Sequence, residues 1–314
     1  MTQFRYSVSG GLVKSAVPLC GLVPADDDEL PEYTVSRMDR ATRAARPPWP
    51  PGQNGPRDFV RKSGGEFVFY WLRTADAQTY RIHPAARLVE LEPDAAPTLA
   101  LTHGVIDFAL PNLLSCGDRI VLHGALLETE MGCIAALGEA GVGKSTLTAL
   151  WVRAGHRFLS DDWFVLRPEG ERLLAYPSYS SIRLRSPDRA LVSVGGREEG
   201  VSQPGFSKIW YSFGPGSVAW CSEPRDLRGV VFLRRPAAGT GKPRLSSPGS
   251  REAVAGLISS LVLLEIDSPE RWEFLVPLLA RVEAGVRMEK LDIPEGTDGP
   301  VAARKVIEDL ADAL

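Results

Sequence analysis

Eight residues near the middle of the chain, Gly138-Glu139-Ala140-Gly141-Val142-Gly143-Lys144-Ser145, with Thr146 next, carry the most specific chemistry in the sequence. They fit G-x-x-x-x-G-K-[ST] in full. Glycines there let the backbone turn sharply, so that several N–H groups point inward at phosphate oxygens. A helix leaving the loop offers its positive N-terminal end to the same anion. Lys144 can reach the β and γ phosphates of a nucleotide, and the Ser145 hydroxyl can bind Mg²⁺. Gly138 to Thr146 are therefore expected to form a nucleotide site. Its ligands would be ATP and Mg²⁺, although no base-reading motif separates ATP from GTP.

A second feature follows in Phe158-Leu159-Ser160-Asp161-Asp162. An apolar strand ending in a carboxylate is what such a loop needs to hold Mg²⁺ beside Ser145. Side chains alternate along a strand, so the two aspartates point in different directions. One can serve the metal while the other faces an attacking group; spacing alone does not say which.

These residues need a scaffold of strand, glycine loop, helix and strand. Ile120 to Leu127 and Gly132 to Leu137 read as strands. Lys144 to Ala154 reads as a helix ended by Gly155, and Arg157 to Ser160 begins another strand. Together they predict a βαβ-type unit. Upstream, Leu99 to Leu114 has helical spacing, which Gly104 and Pro111 would divide into two short helices. Downstream, Gly239 to Gly249 reads as a loop, 251–264 and 269–284 as amphipathic helices, and 301–314 as a terminal helix. Phe4 to Val8, Glu66 to Trp71 and Gln78 to Ile82 alternate at the strand period. Between the first two runs, the prolines of Arg46 to Pro56 exclude helix and interior strand. Asp26 to Glu29 reads as a solvated turn. The expected class is α/β, with a smaller strand-rich N-terminal domain over 1–96 and a P-loop domain with C-terminal helices over 97–314.

The chain has 314 residues, enough for two ordinary domains, and is 44% hydrophobic and 24% charged. No run approaches the roughly 18 apolar residues of a membrane span, and Arg5 and Lys14 interrupt any signal-peptide core. A net charge of -3 gives no attraction to nucleic acid or anionic lipid. Cys20, Cys116, Cys133 and Cys221 show no CxxC spacing, which argues for thiols packed as small hydrophobes in a reduced, cytoplasmic protein.

His123-Gly124-Ala125-Leu126-Leu127, the glycine loop, and Gly155-His156-Arg157-Phe158-Leu159-Ser160-Asp161-Asp162 together resemble the core of HPr kinase/phosphorylase. That family is related in nucleotide fold to ATP-dependent phosphoenolpyruvate carboxykinase. Gly10-Gly11-Leu12, Ser15 to Leu19 and Tyr176 to Leu184 are similar to the HPr-kinase-like proteins of bacterial gene clusters, which include serine kinases acting on lasso-peptide precursors.

The resemblance implies that Lys144 holds the transferred phosphoryl group and Ser145 the metal. Asp162 would accept the proton of the substrate hydroxyl, while Asp161 would orient it or touch the metal. His123 would lie near the reacting phosphate, whereas His156 is expected to cap the preceding helix end. Two features depart from the family. Ala175 to Leu184 lacks the acidic residue of the second signature, and the arginine-bearing loop is not recognisable. Ser207-Lys208 is the expected substitute for that loop, and Arg183 and Arg185 are candidates to reach a phosphate or an acidic substrate. The implied activity is ATP/Mg-dependent transfer to a hydroxyl, foremost a serine of a peptide or protein. A small hydroxylated metabolite as acceptor, or a non-catalytic nucleotide-binding module, are the alternatives. Self-association into a homo-oligomer stays open.

Overall fold

Alternating apolar residues draw the N-terminal chain into strands. The computed structural model describes residues 3–25, 30–41, 58–63, 66–71, 78–185, 188, 195–201, 208–236, 241–296 and 298–314. The acidic turn at 26–29, the proline-rich segment at 46–56 and Ser207 lie outside the described residues. Strands β1 (Phe4–Val8), β2 (Gly11–Ser15), β3 (Val23–Pro24), β4 (Tyr33–Arg37), β5 (Asp58–Ser63), β6 (Glu66–Trp71), β7 (Gln78–His83) and β8 (Leu88–Leu91) form one sheet. Their order is β3-β1-β2-β4-β8-β7-β6-β5, with only the β2–β4 and β4–β8 pairs parallel among these strands.

A helical run covers this sheet: α1 (Leu99–Gly104), a π-helical segment (Val105–Ala109) and α2 (Leu110–Ser115). Thr98 caps it, its side chain accepting from the Leu101 N–H at 3.1 Å. The expected two short helices are present, but a π-helical turn joins them into one continuous run. Gly104 is a packing residue, since a Cβ there would collide with the Tyr80 ring. Pro111 falls in the first turn of α2, just after a wider turn in which Leu110 N–H bonds to Val105 C=O.

Next come β9 (Ile120–Thr129), β10 (Gly132–Leu137), α3 (Lys144–Arg153), β11 (Phe158–Ser160), β12 (Trp163–Glu169), β13 (Arg172–Tyr176), β14 (Ser181–Arg185), β15 (Arg197–Val201), β16 (Lys208–Ser212) and β17 (Arg225–Arg234). They are followed by β18 (Arg244–Ser246), α4 (Ser250–Ser259), α5 (Pro269–Gly285), β19 (Arg287–Asp292) and α6 (Asp298–Ala311).

β10 and β11 both pair antiparallel with β9, one on each side, so the β10–α3–β11 crossover passes over β9. β10 also pairs in parallel with β17. The front half of β9 pairs with β12, β12 with β13, and β13 with the start of β17. β9-β12-β13-β17-β10 thus close a ring, which Leu122, Leu126, Phe164, Leu166 and Val230 fill. α3 packs on α6 through Leu147, Trp151, Ala303 and Ile307. A separate three-stranded sheet, β14-β16-β15, packs against α3 through Ile182 and Leu184.

One further difference from expectation matters. The helix expected over 251–264 stops at Ser259, because the chain beyond it is drawn against β9. His123 N–H donates to Ser260 C=O at 2.7 Å and Val262 N–H to Val121 C=O at 2.8 Å. In addition, one hydrophobic cluster runs from Tyr6 and Tyr33 in the first sheet through Ile106 and Leu110 to Trp163, Tyr179 and Trp210.

Candidate functional site

All six residues of β10 are buried between β9 and β17, which fixes where the strand ends and the glycine loop begins. Gly138 leaves the strand at φ +147°, and a Cβ there would sit 2.6 Å from the Leu233 carbonyl oxygen. Gly143 takes a left-handed conformation at the N-cap of α3, with φ +115°. Lys144, 7% exposed, folds back over the loop. Its Nζ donates to Gly138 C=O at 2.7 Å and to Glu139 C=O at 3.2 Å. Burial lowers the Lys144 pKa, and the charges of Asp162 and Asp161 oppose that shift. Glu139, Ala140 and Gly141 form the exposed crown, Ser145 is half-buried, and Val142 and Thr146 are buried. Arg235, just past β17, donates from Nε to Val142 C=O at 3.0 Å.

The middle of β9 separates this loop from the aspartates. Leu137 pairs with Gly124 on one side, and Gly124 N–H donates to Asp162 C=O at 2.9 Å on the other. A side chain at Gly124 would collide with Leu137, so the close approach needs glycine.

Asp161 and Asp162 diverge as expected. Asp161 is 2% exposed; its Oδ2 accepts from Arg183 N–H at 3.2 Å, while its Oδ1 is buried without a protein hydrogen-bond partner. Burial raises its pKa. Asp162 Oδ2 lies 2.9 Å from Arg183 Nη2 and its Oδ1 3.9 Å from His123 Nδ1. Burial alone would raise the Asp162 pKa, but the positive charge of Arg183, then of His123 and Lys208, holds it well below the carboxylate range. His123 shifts down through burial, reinforced by Lys144, Arg183 and Lys208 and opposed by Asp162. Lys208 opens β16 directly opposite Arg185 in β14, and its charge acts on both aspartates and on Lys144. Lys144, His123, Asp161, Asp162, Arg183 and Lys208 are thus electrostatic neighbours.

Arg183 differs from its expected part. It is buried and cannot extend to a ligand as an open strand residue would. It bonds Asp107, Asp162 and the Tyr179 hydroxyl, and lies over the Trp210 ring with its Cζ 5.4 Å from the centroid. Sequence reading missed Asp107, Tyr179 and His103. The one available signal was His103-x-x-x-Asp107, a polar pair at i,i+4 on an otherwise apolar helix. His156 caps α3 through its backbone N–H, which donates to Trp151 C=O at 3.3 Å, while its ring stacks on Trp151 at 4.3 Å and pairs with Glu308 at 3.0 Å, tying α3 to α6.

The donor set suits Mg²⁺. Asp161 Oδ1 is an oxygen in want of a partner, and Ser145 adds a hydroxyl. Among the described residues no cluster of three or more His, Cys, Asp or Glu forms a closed cage. Mg²⁺ is usually held by one or two carboxylates together with phosphates and waters.

Beside the loop lies a cleft of ≈ 730 Å³ between Gly138–Val142 and α4, with His123, Phe232, Gly256 and Lys290 on its walls. Arg234 and Lys290 there share Glu252. Among the described residues no carboxylate pairs with Arg235, Arg185 or Lys208. No helix among the described residues is long and apolar enough to cross a membrane.

No protein-family model and no curated protein matches the chain. Among solved structures the chain is similar to the Hpr(Ser) kinase/phosphatase from Coxiella burnetii. The two share 14% sequence identity with a TM-score of 0.32, over 62% of this chain and 97% of that one. At that similarity, what this chain does has to come from its own residues.

Proposed function

We propose that the protein is an ATP- and Mg²⁺-dependent phosphotransferase that moves a γ-phosphoryl group to a hydroxyl, foremost a serine of a peptide or protein such as a ribosomally made precursor. One observation carries the reading. A glycine loop with an inward-folded lysine and an aspartate pair with one unpartnered buried oxygen sit on either side of His123 and Gly124.

Phosphoryl transfer asks little covalent chemistry of a protein, so positioning and charge neutralisation dominate. Lys144 would exchange the carbonyls of Gly138 and Glu139 for β and γ oxygens, and the loop N–H groups would take the remaining charge. Ser145 and Asp161 would hold Mg²⁺, which neutralises the phosphates. Asp162, ionised at neutral pH, would take the hydroxyl proton as the acceptor oxygen bonds to phosphorus. The bond from phosphorus to the β,γ-bridging oxygen breaks, and ADP leaves with the electron pair. A carboxylate held this acidic is a weak base. That suits a loose transition state, in which the proton moves late.

The test is intact-mass spectrometry after incubation with Mg-ATP and a panel of serine peptides and small hydroxylated metabolites, with Lys144→Ala in parallel. The expected result is one added phosphate on an acceptor, absent with the variant. Measured Mg-ATP binding without transfer to any acceptor would overturn the enzymatic reading and leave a nucleotide-responsive module.

A further inference from the structure

Behind Asp162 lies a polar network that the proposed chemistry does not use. Asp107 sits in the π-helical segment, with its side chain 2% exposed. Its Oδ2 meets His103 Nε2 at 2.8 Å and Arg183 Nη1, and its Oδ1 accepts from the Tyr179 hydroxyl at 2.7 Å. The same hydroxyl accepts from Arg183 Nη2 at 2.9 Å, and that nitrogen also reaches Asp162. Arg183 is therefore clasped between a deep carboxylate and one at the candidate site. The π-helical segment holds the backbone too. Trp163, which follows Asp162, donates its Nε1–H to Ile106 C=O at 2.7 Å.

We propose that Asp107 is a positioning residue: with Tyr179 it fixes the Arg183 guanidinium, and Arg183 in turn fixes the Asp162 carboxylate toward the acceptor. The inference rests on the phosphotransferase reading for its consequence but not for its geometry. Three physical points support it. An enclosed ion pair adds little net stability, because desolvation cancels most of the attraction, so its contribution is chiefly to geometry. The guanidinium is planar and forked, so two carboxylates and a hydroxyl on its edges leave it one orientation. The π turn inserts a residue into the helix, where Asp107 meets Arg183 and the neighbouring Ile106 carbonyl meets Trp163.

The test is a double-mutant cycle with Asp107→Asn, Arg183→Met and the pair, plus Tyr179→Phe as a variant that keeps the charges. Transfer rate, or slow hydrolysis of Mg-ATP by water, is read beside Mg-ATP affinity. Asp107→Asn should lower kcat on the order of 10²-fold, the usual penalty for misplacing a reacting group by about an ångström. Mg-ATP affinity should stay within about twofold, because Lys144 and its loop are untouched. The double variant should be no slower than Arg183→Met alone, whereas additive losses would overturn the inference. ¹⁵N NMR of the Arg183 guanidinium supplies an arm that needs no activity. Hindered rotation in the parent should be released by Tyr179→Phe or Asp107→Asn, and hindrance kept in both variants would also overturn it. A parent that binds Mg-ATP without turnover would count against the phosphotransferase reading alone, with the NMR arm still deciding this one.

Discussion

The cations on the two sides of the aspartate pair are treated in opposite ways. Arg185 and Arg235 approach the glycine loop at Gly141 and Gly143 and, like Lys208, form no ion pair with a carboxylate among the described residues, although the Lys208 charge reaches both aspartates and Lys144. Arg183, a few ångströms behind Asp162, is enclosed by two carboxylates, a hydroxyl and an indole. An unpartnered cation at a surface costs little, since water solvates it, and it stays free for an anion. A buried one must be matched group for group. The first arrangement suits capture of a phosphate chain, the second a fixed geometry.

If that contrast holds, Arg183→Met should give the largest effect on stability. Losing the guanidinium leaves Asp107 to His103 and Tyr179 alone, at a cost of about 3–5 kcal/mol in chemical denaturation. A variant that unfolds like the parent would break the contrast. Asp162→Asn removes a charge from the boundary between the two regions. It should slow transfer on the order of 10²-fold while Mg-ATP still binds, and loss of binding as well would reassign Asp162 to the metal. Lys208→Ala should leave the melting temperature unchanged and weaken Mg-ATP roughly tenfold, the scale of one lost charge-assisted contact.

A smaller effect separates the aspartates by pH. The folded-state pKa of Asp162 is depressed, so its contribution is complete above the unfolded value of about 4 and is lost as pH falls through the depressed one. Asp161 has the opposite sign. Its raised pKa makes the ionised form a burden on the fold above that value, and protonation relieves it. Asp161→Asn should therefore melt at a higher temperature at pH 7 while losing Mg²⁺-dependent function, a trade expected of functional sites. A lower melting temperature for Asp161→Asn would show that the buried oxygen is stabilised in some other way.

The first of these regions was legible in the sequence and the second was not. The loop from Gly138 to Ser145, the helix stop at Gly155 and the aspartate pair are local patterns whose residue types answer to local geometry. The Arg183 network joins residues 72 and 76 positions apart in sequence, and no spacing rule reports a partner at that distance. Read alone, Arg183 looked like a strand residue free to reach outward. The overrun of the helix at 251–264 has a similar cause. Leu261 to Leu264 keep an apolar character compatible with helix, but pairing with β9 outweighs local preference. The two short helices expected over Leu99 to Leu114 are present, but a π-helical turn joins them, since Gly104 is held against Tyr80 and Pro111 sits in a first turn, where its missing N–H costs little.

The parallel pairing of β10 with β17 bears on how this protein is made. Leu137 sits opposite Phe232, the Leu233 carbonyl closes over Gly138, and Arg235 secures Val142, so half of the loop's seat comes from residues nearly a hundred positions later. A chain emerging from the ribosome displays the whole stretch from Gly138 to Asp162 long before that strand arrives. Such non-local pairing forms late and slowly. Nucleotide present during synthesis would therefore find a competent loop only after β17 docks, and its binding would then favour the last steps of folding over the first.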